Sequence, residues 1–121
     1  MVTVEKLIER AKAAGLPIAN MAFEETEESP VPSPPYFVYL IPHQKKRGAD
    51  VKNNIKETDF SLELYTDKFA LDREDLEEMV EEKVFFDVET EKYVAPIESE
   101  NMVQSAWEVN GLIQKLKGVK K

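Results

Sequence analysis

Apolar positions along the chain switch twice between helical spacing and strand spacing. Near the start, Val4, Leu7, Ile8 and Ala11 fall on one stripe of a 3.6-residue repeat, which predicts a helix running to about Ala14. Thr3 is its expected N-cap, Val2 its staple onto Leu7, and Gly15 stands where a C-terminal cap belongs. The next apolar stretch, residues 18–23, reads as a short strand. Residues 24–35, "EETEESPVPSPP", are acidic and rich in proline, which predicts an exposed loop without regular structure.

"YFVYLI" (residues 36–41) is apolar on both faces and predicts an interior strand. Residues 43–54 follow it as a second exposed loop. In "ETDFSLELYT" the pattern alternates, with Phe60, Leu62 and Leu64 on one face and Ser61, Glu63 and Tyr65 on the other. That pattern predicts an antiparallel strand with one wet face. A second helix starts after Leu71. Asp72 is its cap, Asp75 replaces the glutamate of a capping box, and Leu71 is expected to staple onto Leu76. Leu76, Met79 and Val80 form its predicted buried stripe.

"VFFDVETEKYVAPI" then reads as a hairpin turning near Thr90 and Glu91, with Val84, Phe86 and Val88 on one face and Tyr93 and Val94 on the return. In "NMVQSAWEVNGLIQKL", Val103, Ser105, Trp107 and Val109 share a face at a period of two, and Gly111 marks a bulge. Strand is the reading preferred there over helix. The elements together predict a single α+β domain, an antiparallel sheet of strands of mixed length with two helices packed on one face.

With 121 residues the chain has the size of one domain, large enough to bury about two-thirds of its unfolded surface. A hydrophobic fraction of 42% beside a charged fraction of 33% excludes the disordered class. No window approaches the roughly 18 apolar residues of a membrane span. The opening "MVTVEKLIER" carries charge where a secretory signal has its apolar stretch, so synthesis in the cytoplasm is the expectation. The absence of cysteine removes disulfides, thiolate metal sites and a cysteine nucleophile together.

Charge changes the picture more than composition does. The formal net charge is −8, and residues 72–91 alone hold ten acids against Arg73 and Lys83, again −8. Lys45, Lys46, Arg47, Lys52 and Lys56 against Asp50 give +4, and the last seven residues, "KLKGVKK", add another +4. The C-terminal end, residues 117–121, reads as flexible and basic. Opposite charges are therefore sorted to different parts of one small body.

Candidate chemistry is sparse. His43, the single histidine, follows a proline in the basic loop and has no implied acid partner except Asp50, so it reads as an exposed loop residue rather than a general base. The four glycines are scattered, so none makes a phosphate cradle. "DREDLEEMVEE" lacks the loop order of a calcium site and sits on a helix. No catalytic residue, metal or cofactor is expected. Sequence-specific binding of nucleic acid is not expected either, since the overall field repels DNA at long range.

Glu74–Glu78, Glu77–Glu81 and Glu78–Glu82 are like-charge pairs at i, i+4, each costing about 0.2–0.5 kcal/mol. Such a face calls for cations from elsewhere. The basic segment of a neighbouring copy would supply them in a head-to-tail contact, which closes into a ring when the rotation allows.

The succession "GLPIANMAFEE", "PPYFVYLI", "GADVKNN", "SLELYTDKF" and "SAWEVNGLIQK" resembles the tail-completion and tail terminator (minor tail) proteins of long-tailed phages and prophages of Gram-positive bacteria. The likeness runs from Leu7 to Lys117. It implies an α+β fold and a structural role in the virion, as a hexameric ring that caps the tail tube and docks onto the head connector. The implied partners are further copies of the chain, the major tail protein and a neck or head-completion protein. Trp107 stands where that group is expected to carry a tyrosine or similar aromatic. The candidate site residues are then Lys45, Lys46, Arg47, Lys52 and Lys56 as a docking loop. Glu74, Asp75, Glu77, Glu78, Glu81 and Glu82 form an acidic face toward a neighbour or the lumen. The competing expectation is a small acidic regulatory or inhibitor protein that binds a basic partner.

Overall fold

The computed structural model describes residues 2–26, 30–47 and 55–115. The first helix, α1, spans Val4–Ala13; the Thr3 hydroxyl accepts the Lys6 N–H at 3.1 Å, and Gly15 leaves the helix at φ 91°. Val4, Leu7 and Ala11 are buried. The chain continues into β1 (Ile18–Asn20), β2 (Tyr36–Arg47), β3 (Ile55–Asp67), α2 (Arg73–Lys83), β4 (Glu91–Ile97), a 3-10 turn (Glu98–Glu100) and β5 (Met102–Lys115). The five strands form one sheet in the order β1-β2-β3-β5-β4. The molecule is thus an α+β domain, with one departure from the expected sheet. β1 runs parallel to β2, so the sheet is mixed rather than wholly antiparallel. Helix α1 crosses between no two strands and only delivers the chain to an edge, which leaves β1 free to run alongside β2.

Alternation decides which face is covered. Phe37 of β2, Phe60, Leu62 and Leu64 of β3, and Trp107 and Val109 of β5 pack in one cluster with Val4, Leu7 and Ala11 of α1 and Val80 of α2. Both helices therefore lie on this face. Ser105 and Trp107 are fully buried, as the period of two in the last segment requires. Gly111 sits at φ 71° in a bulge where Asn110 and Gly111 oppose Asp59, whose carboxylate accepts the Gly111 N–H at 2.9 Å. A second bulge, at Ile41 and Pro42 of β2, opposes Phe60 on the other side of β3. Proline has no N–H for the ladder, so a bulge is where a strand tolerates it.

Five local expectations are corrected. The strand expected over residues 18–23 stops at Asn20, because Met21 turns the backbone at φ 68°. Residues 43–47 are not loop but a continuation of β2, paired with residues 55–59 of β3; residues 48–54 of that predicted loop lie outside the described residues. Residues 84–90 form no hairpin arm, since β4 takes β5 as its partner. Instead Val84 and Phe85 are buried at the end of α2 while Phe86 is exposed. Leu71 is fully exposed and staples nothing. The far face of β3 is not simply wet: Tyr36 and Tyr65 stack across it at 5.2 Å, and Phe23 meets Tyr36 edge-on at 5.2 Å.

Arg10 locks α1 against the end of α2. Its guanidinium donates to both carboxylate oxygens of Asp87 at 2.8 and 3.1 Å and to the Val84 carbonyl at 3.0 Å, and lies 4.3 Å over the Phe86 ring. The hydrogen bonds from Arg10 hold the Asp87 carboxyl below the usual carboxylate range.

Candidate functional site

The basic residues predicted for a loop stand on two paired strands. Lys45 lies opposite Glu57, Lys46 opposite Lys56 and Arg47 opposite Ile55; Lys52 is outside the described residues. Since neighbours across a ladder share a face, Lys46 and Lys56 place two cations side by side, an arrangement that weakens a sheet unless an anion comes between. His43 is 66% exposed, and its Nδ1 lies 3.5 Å from Asp59, a partner the sequence did not single out. β1 pairs only with Phe37, Val38 and Tyr39. Beyond that point β2 has no further strand beside it among the described residues, and Ile41 to Lys46 are all exposed.

The acidic helix divides into two groups. Glu74, Asp75, Glu78 and Glu82 are exposed, as expected of a presented face. Glu77 is not: it is only 6% exposed and replaces Leu76 and Met79 as the inward companion of Val80, both of which are half-buried. Its Oε2 accepts the Ser105 hydroxyl at 2.5 Å, its Oε1 accepts from Lys92 Nζ at 3.2 Å, and Arg73 Nε lies 3.5 Å away. Glu81 accepts from Lys92 at 3.2 Å and from the Trp107 indole at 3.2 Å. Burial opposes the Lys92 charge, but hydrogen bonds to Glu81 and Glu77 outweigh it and raise the lysine above its ordinary pKa.

Glu77 and Glu81 thus find cations within their own chain, and their role is to seat α2 on β4 and β5. A depression of about 460 Å³, lined by Glu74, Glu77, Glu78, Glu81 and Lys92, separates the helix from β4. The spacing of Glu77 with Val80 and Val84 carried the signal, because 77, 80 and 84 repeat at helical period on the buried side.

A second acidic group lies where β4 begins. Glu91 faces Glu108 across the ladder, and Glu89, Thr90 and Asn110 line the same shallow depression of about 190 Å³. Among the described residues β4 is an edge strand with an open side, and Tyr93 and Val94 are 52% and 48% exposed on it. On the sheet face away from the helices, Tyr65 donates to Glu63 at 2.9 Å and accepts from Gln104 at 2.8 Å. Burial and the Glu63 carboxylate push its phenol up to about 12.

Among the described residues, no group of three or more histidine or acidic side chains is placed to hold a metal ion, and no helix is long and apolar enough to cross a membrane. Comparison with models of known protein families and with curated protein sequences gives no match. What the geometry offers is one body with a cationic strand end, an anionic helix and an acidic turn where the edge strand begins. Among the described residues no ion pair joins the two.

Proposed function

We propose that the chain is a virion structural protein, a tail-completion protein whose copies form a ring that caps the tail tube and joins it to the neck. The observation that carries this reading is the separation just described. Lys45, Lys46, Arg47 and Lys56 sit at one end of the sheet, while Glu74, Asp75, Glu78 and Glu82 sit on α2 with no ion pair among the described residues. Patches of opposite charge that no ion pair joins among the described residues would be satisfied by a neighbour, and a heterologous contact of that kind closes into a ring when the rotation allows. Complementary charge orients the partners and speeds encounter, while apolar contact supplies affinity.

Capping is tested by mixing the protein with purified tail tubes and imaging the ends. Capped ends are expected from the wild type. Lys45→Glu, Lys46→Glu and Arg47→Glu together should abolish capping and tail joining while far-UV circular dichroism stays unchanged. Infectious particles at normal yield from that triple variant overturn the contact. Binding to a basic nuclease or repressor, with tube ends left open, moves the chain to the inhibitor class.

A further inference from the structure

Among the described residues the sheet has two unpaired edges of unequal character, and they match. One is the distal part of β2 beyond β1, carrying Ile41, His43, Lys45 and Lys46. The other is β4, carrying Glu91, Tyr93 and Val94. We propose that β4 of one copy adds antiparallel to the distal edge of β2 in the next, with Glu91 facing Lys45, so that the sheet runs on from copy to copy. This pairing supplies the contact for the ring and rests on that reading of the chain.

Strand direction permits it. β2 runs antiparallel to β3, β3 to β5, and β5 to β4, so β4 and β2 point opposite ways within one copy. Copies held in one orientation therefore bring these edges together antiparallel. Face parity permits it as well. Glu91 shares a face with Glu108, and through Ser61 with Glu57 and Lys45, so Glu91 and Lys45 project to the same side of a continuous sheet. The register then sets Tyr93 against His43 and places Val94 and Ala95 beside Pro42 and Ile41. Ile41, Tyr93 and Val94 are all large exposed apolar residues that this pairing covers. Pro96 donates no hydrogen bond, which confines the new ladder to the first five residues of β4.

Charge favours the same register. Glu91 and Glu108 face each other across one ladder, Lys46 and Lys56 across another, each a same-sign pair. The pairing brings Glu91 beside Lys45 on the face it shares with Glu108, which relieves the acidic pair, while Lys46 and Lys56 project to the opposite face.

The offset also suits closure. The level of Glu91 corresponds to Ser61 of β3 and the level of Lys45 to Glu57, four residues along the same strand. At about 3.3 Å per residue that is a shift of about 13 Å, set against about 19 Å for four strands. The resulting strand tilt of about 35° lies in the range of closed sheets.

The absence of cysteine makes a direct test clean. His43→Cys and Tyr93→Cys are placed in separate chains, mixed, and oxidised both as concentrated free protein and on purified tail tubes. Thiols on facing strand positions react at the effective concentration of a held pair, so the mixed disulfide should exceed either homodimer roughly tenfold. Gln44→Cys with Tyr93→Cys, which project to opposite faces, should give no excess. Adding Lys45→Glu to the first chain should suppress the mixed product, and adding Glu91→Lys to the second should restore it. No excess for the His43 and Tyr93 pair, free or on tubes, overturns the pairing. Mixed disulfides without capped tubes keep the pairing and remove the tail-completion reading. Capped tubes without the mixed disulfide do the reverse.

Discussion

Replacing Ser105 by alanine isolates the bond that seats α2 on the sheet. The Ser105 hydroxyl is fully buried and donates at 2.5 Å to Glu77, itself nearly closed off from water. Alanine removes one oxygen and leaves almost no cavity, so the loss is electrostatic. A hydrogen bond to a charged group contributes about 1.5–3 kcal/mol, and the carboxylate left behind keeps Lys92 and the flanking Arg73, so about 2 kcal/mol is expected. Urea unfolding followed by Trp107 fluorescence and far-UV circular dichroism measures it. With a slope of about 1.5 kcal/mol per molar for a domain of this size, the midpoint should fall by roughly 1.3 M with the slope unchanged. Glu77→Ala should cost as much or more, and the double variant should cost about 1 kcal/mol less than the sum, since both changes delete one bond. Ser105→Ala within about 0.3 kcal/mol of wild type, or strict additivity of the pair, refutes the reasoning.

Three further outcomes are expected. Arg10 depresses the Asp87 carboxyl, so its stabilisation is present above the ordinary value near 4 and is lost as pH falls through the lower folded value. Melting temperatures of wild type and Asp87→Asn should therefore differ at neutral pH and converge in strong acid. Tyr65 is raised to about 12, so its contribution is full below the ordinary tyrosine value near 10 and disappears as pH climbs to about 12. Absorbance titration near 295 nm should show a late phenol step that Tyr65→Phe deletes. Gly111→Ala meets no atom within 4 Å, so only its left-handed backbone resists; chemical denaturation should show a loss of about 1 kcal/mol.

Periodicity makes most of the fold legible. Residues 60–65 and 103–109 alternate cleanly because a two-residue repeat is imposed wherever one face is buried, and the bulge at Gly111 follows from the one residue that adopts φ 71° at no cost. Two kinds of signal are missing. Polar residues that carry the packing, such as Glu77 beneath Ser105 and Lys92, read as solvated because burial depends on partners 15 and 28 positions away. The extension of β2 past Pro42 reads as loop because charged side chains at residues 43–47 mask a backbone that still finds β3. The segment after α2 reads as a hairpin arm from its apolar content, yet Arg10, 77 residues distant from Asp87, fixes it as a cap on the helix pair. As for the site, the residues of both charged patches are visible in the chain, and the edges they stand on are not.

Strand order also fixes when the molecule can form. β5 lies between β3 and β4 yet is the last strand among the described residues. During translation, Leu62 and Leu64 must therefore wait beside an empty slot until residue 102 and its successors leave the ribosome. At about 5–20 residues per second the delay is a few seconds. The stretch made during that interval, residues 72–91, carries a net charge of −8, and like charge opposes association between chains at this stage.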